Sequence, residues 1–532
     1  MVDELRVTVE PVEDGGERWV EAVTALLARH PLTAEGDVRL LRVRSEGMAD
    51  KDDQADDLGL VVAEAYDYAG EQAIRVRGPA RALAGGDLDA LVVEVLAYQP
   101  APSDEELEVA FETVRQDDRL GRPIADEGLR LYAPMPPVAA VDLEDGRTER
   151  VITVGLHDER GLTRQFVGVR LRDRVVLVDL PGLPQPTDRV CEPSPPIDDC
   201  RSSGSTGQVW VSVFLGGTRI WRFQLVRPAA SSGTNGSGAE LRFVDYRGHR
   251  VLYRAHVPIL NIEYFDEGQR AGCGPTYRDW QNQESCFQAP AGSDPAPGIR
   301  VSSGPAQTII ESGTDAGNFR GAAIYVDGTD VVIVSELSAG WYRYISQWRL
   351  GAEGTISPRF GFAATANTCT CTGHHHHVYW RLDLDVDGIS PNRVEEFNDP
   401  PIIGNSNWHL KTFEIRRPRH PGRKRHWRIS NPRTRASYLL EPGSNDGNQT
   451  GYGVGDLWVL RYRGTEIDDG QSFTTDPNLS RARIDSFAIP AEPVVDQDVV
   501  LWYAAHFIHD EAHGHPGGHY VGPDLRPENW PG

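Results

Sequence analysis

Four consecutive histidines, His374 to His377, open the tract GHHHHVYWRLDLDVDG, and a second histidine-rich stretch, HFIHDEAHGHPGGH, begins at His506. Imidazole is the side chain most often used to hold a transition metal near neutral pH. The residues after the run alternate as a β-strand does, and in an extended strand side chains two apart point to the same side. His374 and His376 therefore offer two rings to one ion while His375 and His377 face the other way, and a register shift of one residue would exchange the pairs. Ligation by imidazole alone suits copper or zinc. A solvated histidine-rich loop without a bound metal is the plainer alternative.

The whole chain must supply elements that position those rings. Its 532 residues allow about three domains on a prior of roughly 150 residues each. A formal charge of −24 and a pI near 5.1 argue against nucleic acid or an anionic membrane as a partner. No apolar stretch approaches the roughly 20 residues of a membrane span, and the acidic N-terminus MVDELRVTVEPVEDGGERW lacks the apolar centre of a secretion signal, so a cytoplasmic protein is expected. The cysteines fall into three local pairs, Cys191 with Cys200, Cys273 with Cys286 and Cys369 with Cys371. Such pairs read as disulfides in a secreted chain and as thiols in a cytoplasmic one. The C-x-C pair Cys369 and Cys371 is read as chemically inert.

Periodicity divides the chain. ERWVEAVTALLAR places Trp19, Val23 and Leu26 on one helical face, and strand-like runs VRLLRV, LGLVVAEAY, QAIRVR and LVVEVLAY follow, giving a small α+β domain over 1–100. The order repeats over 101–182: Ser103 to Glu106 forms a capping box before the apolar stripe Leu107, Phe111 and Val114, and RVITVGL, QFVGVRL and VVLVDL then alternate as strands. The Pro-, Gly- and Ser-rich stretch 183–206 reads as a linker. Beyond it, 207–532 alternates at period two between turn signals and carries almost no helical periodicity, which predicts a mainly β protein whose largest domain is an antiparallel β-sandwich.

Four strings of this β region, SELSAGWYRYISQWRLGAEGTI (335–356), HHHHVYWRLDLDVDG (374–388), RHWRISNP (425–432) and DQDVVLWYAAHFIH (496–509), resemble the copper amine oxidases in content and order. The resemblance covers most of the chain and implies two small α+β domains followed by a β-sandwich catalytic domain that forms a homodimer. In that family an H-x-H pair precedes a strand of the type R-x-D-x-D-V-D-G, which implies His374 and His376 as copper ligands. A segment of the type D-x-V-x-W-x-x-x-x-x-x-H, matched by Asp498, Trp502 and His509, implies His509 as the third. His513, His515 and His519 are poorer candidates in their Gly- and Pro-rich setting.

The family's redox cofactor, topaquinone, forms from a tyrosine in a T-x-x-N-Y-[DE]-Y motif. The matching string Ser338-Ala339-Gly340-Trp341-Tyr342-Arg343-Tyr344 implies Tyr342, with Trp341 and Arg343 where the family has Asn and an acid. The resemblance then implies a primary amine and oxygen as substrates and aldehyde, ammonia and hydrogen peroxide as products. The base that takes the substrate's α-proton lies in a Y-x-D-x-G string, which Tyr264-Phe265-Asp266-Glu267-Gly268 fits. An ungapped reading instead gives Tyr264 the role of holding the quinone oxygen. Asp266 is the first choice for the base, with Asp279 and Glu284 as replacements because the segment between Tyr253 and Tyr342 is shorter than the family's. A second, calcium-like ion is implied at Asp383, Asp385 and Asp498 with the carbonyls of Leu384 and Val499. A disulfide between Cys273 and Cys286 is implied as well. Trp341 and Arg343 keep a second reading open: a copper-binding protein of the same fold without the quinone, serving metal handling or oxidising another substrate.

Overall fold

In a computed structural model of the chain the described residues are 4–12, 16–33, 36–47, 51, 59–142, 148–159, 162–178, 207–270, 272–274, 276–448, 455–464, 466–470, 483–509 and 519–531. The linker expected over 183–206, Cys191, Cys200, His513 and His515 lie outside them.

Two large sheets dominate, and β-strand is the prevailing structure throughout. One has ten strands. Its centre runs from the long strand His249–Tyr264 through the histidine strand His374–Leu384 to the C-terminal strand Val499–His509. The other has twelve strands and contains the hairpin Asp330–Ala339 and Tyr342–Gly351, followed by Ile356–Ala364. All pairings among these six strands are antiparallel. One apolar core joins the two sheets, with Val378, Trp380 and Leu382 from the first packed with Ile333, Trp348 and Phe360 from the second. Strict alternation of apolar residues makes this possible, because a two-residue period lines one face of each strand.

The two smaller units have the expected composition. The helix Gly16–Leu27 lays Trp19, Val23 and Leu27 on a four-stranded sheet spanning Val38 to Val95. The helix Asp104–Gln116 starts at Ser103 with the predicted capping box, Glu106 reaching back to the Ser103 N–H, and covers a five-stranded sheet between Arg130 and Leu177. One strand departs from the sequence boundaries: Leu5–Pro11 pairs antiparallel with Gln208–Leu215 at the edge of the ten-stranded sheet. Its alternation is the same whichever sheet it joins, so periodicity could not assign it.

Candidate metal centre

Register assembles the site. The histidine strand sets His374 opposite Tyr264 on one side and opposite His509 on the other. Opposed residues of antiparallel strands share a face, so His374, His376, Tyr264 and His509 all look into the sandwich. Tyr342 arrives from the second sheet as the first residue after a tight turn, where Gly340 adopts φ 60° and a Cβ would come within 3.0 Å of Met135. Glycine meets the positive φ that such hairpin turns demand. The strand neighbours of Tyr342 are Ala339 and Ala364, small residues that leave its ring room.

One ring nitrogen from each of His374, His376 and His509 lies within 4.8 Å of the others. His374 Nδ1 is 2.6 Å from the Thr372 carbonyl, which fixes the proton on Nδ1 and turns the Nε2 lone pair into the cluster. Ligating histidines are commonly held this way. Burial, followed by repulsion from neighbouring rings, holds His374 and His376 well below the usual histidine pKa, which keeps them in the neutral form a metal requires. His376 Nε2 is buried without a hydrogen-bond partner, a costly state that a bound ion would relieve. Three converging imidazoles of this kind fit copper.

A chain of hydroxyls runs into the triad. The Tyr342 hydroxyl is 2.6 Å from His374 Nε2 and 3.0 Å from the Tyr264 hydroxyl, and the Trp341 indole N–H donates to the Tyr264 oxygen at 3.3 Å. Since His374 Nε2 bears the lone pair, Tyr342 donates to it and Tyr264 donates to Tyr342. Behind Tyr342 the Tyr344 ring stacks at 5.5 Å, and its hydroxyl donates to Asp279 at 2.5 Å. Burial pushes the Asp279 carboxyl up to about 7 against the opposing effects of Tyr344 and Arg278.

The candidate bases separate clearly. Asp266 begins the short helix Asp266–Arg270 and is exposed, so the fold does not bring it to Tyr342. Glu284 is buried in a two-pronged ion pair with Arg227 and accepts the Ala229 N–H, which consumes its carboxylate. Asp279 alone of the three sits within the aromatic cluster. Arg343, one residue past Tyr342 in the strand, points to the opposite side, where Asp315 pairs with it at 2.7 and 2.8 Å. The cation expected beside the redox tyrosine is therefore turned away from its ring.

The calcium-like site already contains a positive charge. Lys51 Nζ lies 2.5 Å from Asp383, 2.7 Å from Asp385 and 2.7 Å from Asp498, and 4.2 Å from the centre of the Tyr462 ring. The ammonium pairs with the three carboxylates of the expected second ion site, whose oxygens lie within 4.8 Å of one another and so could hold a cation in its place. The cysteines also depart from expectation. Cys273 bonds Cys369, their Cα atoms 5.5 Å apart, in place of the expected Cys273–Cys286 pair. Cys286 and Cys371 are disulfide-bonded too, so Cys369 and Cys371 are not free inert thiols. Cys286 instead lies in a short ribbon paired with Phe319–Arg320.

Comparison with protein-family models and with curated sequences finds no match. Solved structures do match over nearly the whole chain. The copper-containing benzylamine oxidase of Hansenula polymorpha superposes with a TM-score of 0.60 at 13% identity, covering 98% of this chain and 97% of its own. This chain has the copper amine oxidase fold. An Aspergillus nidulans amine oxidase (TM-score 0.55, 12% identity, 100% and 91% covered) and the Pichia pastoris lysyl oxidase (0.54, 12%, 97% and 89%) share it. Around the cluster lie residues that no sequence string marked, Lys51 and the acid Glu263 beside Tyr264, and Trp341, marked only as a departure from the family motif, supplies an N–H to Tyr264. A cleft of about 1750 Å³ bordered by Leu40, Phe111, Leu131, Trp341, Arg343 and Asn367 runs between the small units and the hairpin, but Tyr342, Tyr264 and the histidines do not line it.

Proposed function

We propose that the protein is a copper-dependent primary amine oxidase whose cofactor is topaquinone formed from Tyr342. The observation that carries this reading is the Tyr342 hydroxyl, 2.6 Å from His374 Nε2 in a converging three-histidine cluster and braced by Tyr264. A tyrosine oxidised in place needs that proximity to a metal and oxygen. His374, His376 and His509 would hold copper, which supplies the redox chemistry that builds the quinone, and the quinone in turn supplies the electron sink for amine oxidation.

The protein's own groups do the remainder. Tyr264 donates to the Tyr342 oxygen and holds its ring in one orientation, and Trp341 fixes the Tyr264 hydroxyl. Asp279 is the base of this reading, taking the proton from the substrate carbon next to nitrogen. A carboxylate with a pKa near the working pH is suited to that task. Complete burial of Tyr342, Tyr344 and Asp279 excludes bulk water from the reacting atoms. A primary amine enters by way of the cleft bordered by Trp341, whose indole bridges cleft and hydroxyl chain. The reading includes the homodimer implied by the resemblance. Among the described residues no helix is long and apolar enough to cross a membrane. The cytoplasmic location is part of the proposal, the Cys273–Cys369 disulfide being fully buried and so shielded from cytosolic reductants.

Purified protein loaded with copper under air is expected to develop quinone absorbance and to yield a phenylhydrazine adduct on the peptide containing Tyr342, both lost in Tyr342→Phe. Copper binding at full stoichiometry with no adduct overturns the oxidase reading in favour of a copper-binding protein of this fold.

A further inference from the structure

The opposite face of the histidine strand carries a second set of ligands. His375 lies across from Glu263 on the long strand, and His377 lies across from His506 on the C-terminal strand. By the same alternation that turns His374 and His376 inward, these four side chains share the other face. Glu263 Oε2 is 3.7 Å from His375 Nδ1 and 3.5 Å from His377 Nε2. Two atoms bound at about 2.1 Å to one tetrahedral centre stand about 3.4 Å apart, so these separations are those of ligands around a common ion.

Hydrogen bonding around the cluster leaves its lone pairs pointing inward. His506 Nε2 is 3.1 Å from Asp456 Oδ1 and 3.2 Å from the Gly455 carbonyl, both acceptors, so Nε2 carries the proton. The bare His506 Nδ1 then accepts from His377 Nδ1, 2.9 Å away. His377 Nε2 is consequently unprotonated, aimed at Glu263, and has no hydrogen-bond partner. Glu263 Oε2 and His375 Nδ1 are likewise buried without one. His377 is 1% exposed and Glu263 8%, so water does not substitute freely for the missing partners. A carboxylate that orients a ligating imidazole through a second group is a recurrent support of metal sites. Here Asp456 acts through His506 upon His377.

We propose that Glu263, His375 and His377 bind a divalent transition metal ion of the zinc class, at a site separate from the His374, His376 and His509 centre and behind it on the same strand. Two imidazoles and one carboxylate form a set that such ions accept, with a position left for water. His375, with 14% of its side chain exposed, opens the site toward solvent and gives the ion an entry. An ion here ties the long strand to the histidine strand, and through His506 to the C-terminal strand. It thereby steadies the residues that alternate with the inward-facing ligands. The inference does not depend on quinone formation.

Metal analysis after equilibration with zinc, followed by gel filtration, tests it. Wild-type protein is expected to retain two equivalents per chain, His374→Ala/His376→Ala one, and Glu263→Gln/His377→Ala the other one. Zinc-edge absorption on the His374→Ala/His376→Ala protein is expected to show two imidazoles and one carboxylate oxygen. Glu263→Gln alone, which preserves shape, guards against misfolding and is expected to weaken the second equivalent at least tenfold with an unchanged circular dichroism spectrum. Retention of a single equivalent by wild type, lost entirely in His374→Ala/His376→Ala, overturns the proposal.

Discussion

At Asp279 the fold buries a carboxyl beside the Tyr344 hydroxyl, and the free-energy cost of its charge raises its pKa to about 7. Only the ionised form accepts a proton, so the rate falls about tenfold for each pH unit below that value and levels above it. The kcat/KM profile is expected to show an acidic limb near pH 7. Asp279→Asn is expected to lower kcat by about 10²- to 10⁴-fold, the usual share of a general base, while the phenylhydrazine adduct on Tyr342 still forms. Asp266→Asn is expected to leave the limb in place. Loss of the limb in the Asp266 variant and its survival in the Asp279 variant would reverse the assignment. The string Tyr264 to Gly268 misleads as a base motif for a physical reason. The strand ends at the buried Tyr264, and two residues on Asp266 turns out into solvent at the head of a helix. A string records spacing, whereas burial of a carboxyl depends on the distant chain packed over it.

Alternation within single strands was legible from the sequence at the level of the element. It separated His374 and His376 from His375 and His377, and the same rule explains why Arg343 faces away from the Tyr342 ring. Cross-strand partners were not legible, because local pattern carries no record of which strand lies alongside. That is why Glu263 escaped notice and His506 was marked only as the start of a histidine-rich stretch, and why Trp341 read as an intrusion when its indole supplies a hydrogen bond to Tyr264. If that bond acts through Tyr264, the two residues should be coupled. Trp341→Phe keeps an aromatic ring and removes the donor. It is expected to lower kcat about 2- to 10-fold, matching the roughly 0.5 to 1.5 kcal/mol of one hydrogen bond. Tyr264→Phe is expected to cost more, and the double variant no more than Tyr264→Phe alone. Strictly additive effects in that cycle would show the indole acting elsewhere, for instance on the cleft it borders.

Across the whole molecule, Lys51 joins parts of the chain far apart in sequence. It follows the first strand of the N-terminal sheet, and its ammonium sits among Asp383 and Asp385 of the histidine tract and Asp498 before the C-terminal strand. Burial alone would push the Lys51 pKa down, but the three carboxylates outweigh it and the net shift is upward, so the ammonium stays charged. Burial, with repulsion from Asp383, pushes Asp498 up to about 8, a sign that the acids are only partly neutralised by one lysine. In the chain as folded, a tethered cation holds the N-terminal unit to the strands that carry the His374, His376 and His509 cluster. Lys51→Met removes that charge, keeps the stem's packing, and leaves three carboxylates facing one another. Breaking a buried ion pair from one side costs about 3 to 5 kcal/mol, so the variant is expected to unfold at clearly lower temperature at a fixed scan rate. Added calcium is expected to restore much of the loss, since hard oxygen ligands then surround an empty position. The wild type, with the ammonium in place, is expected to show no calcium response, and a calcium-dependent rise in its own unfolding temperature would mean that the metal displaces Lys51.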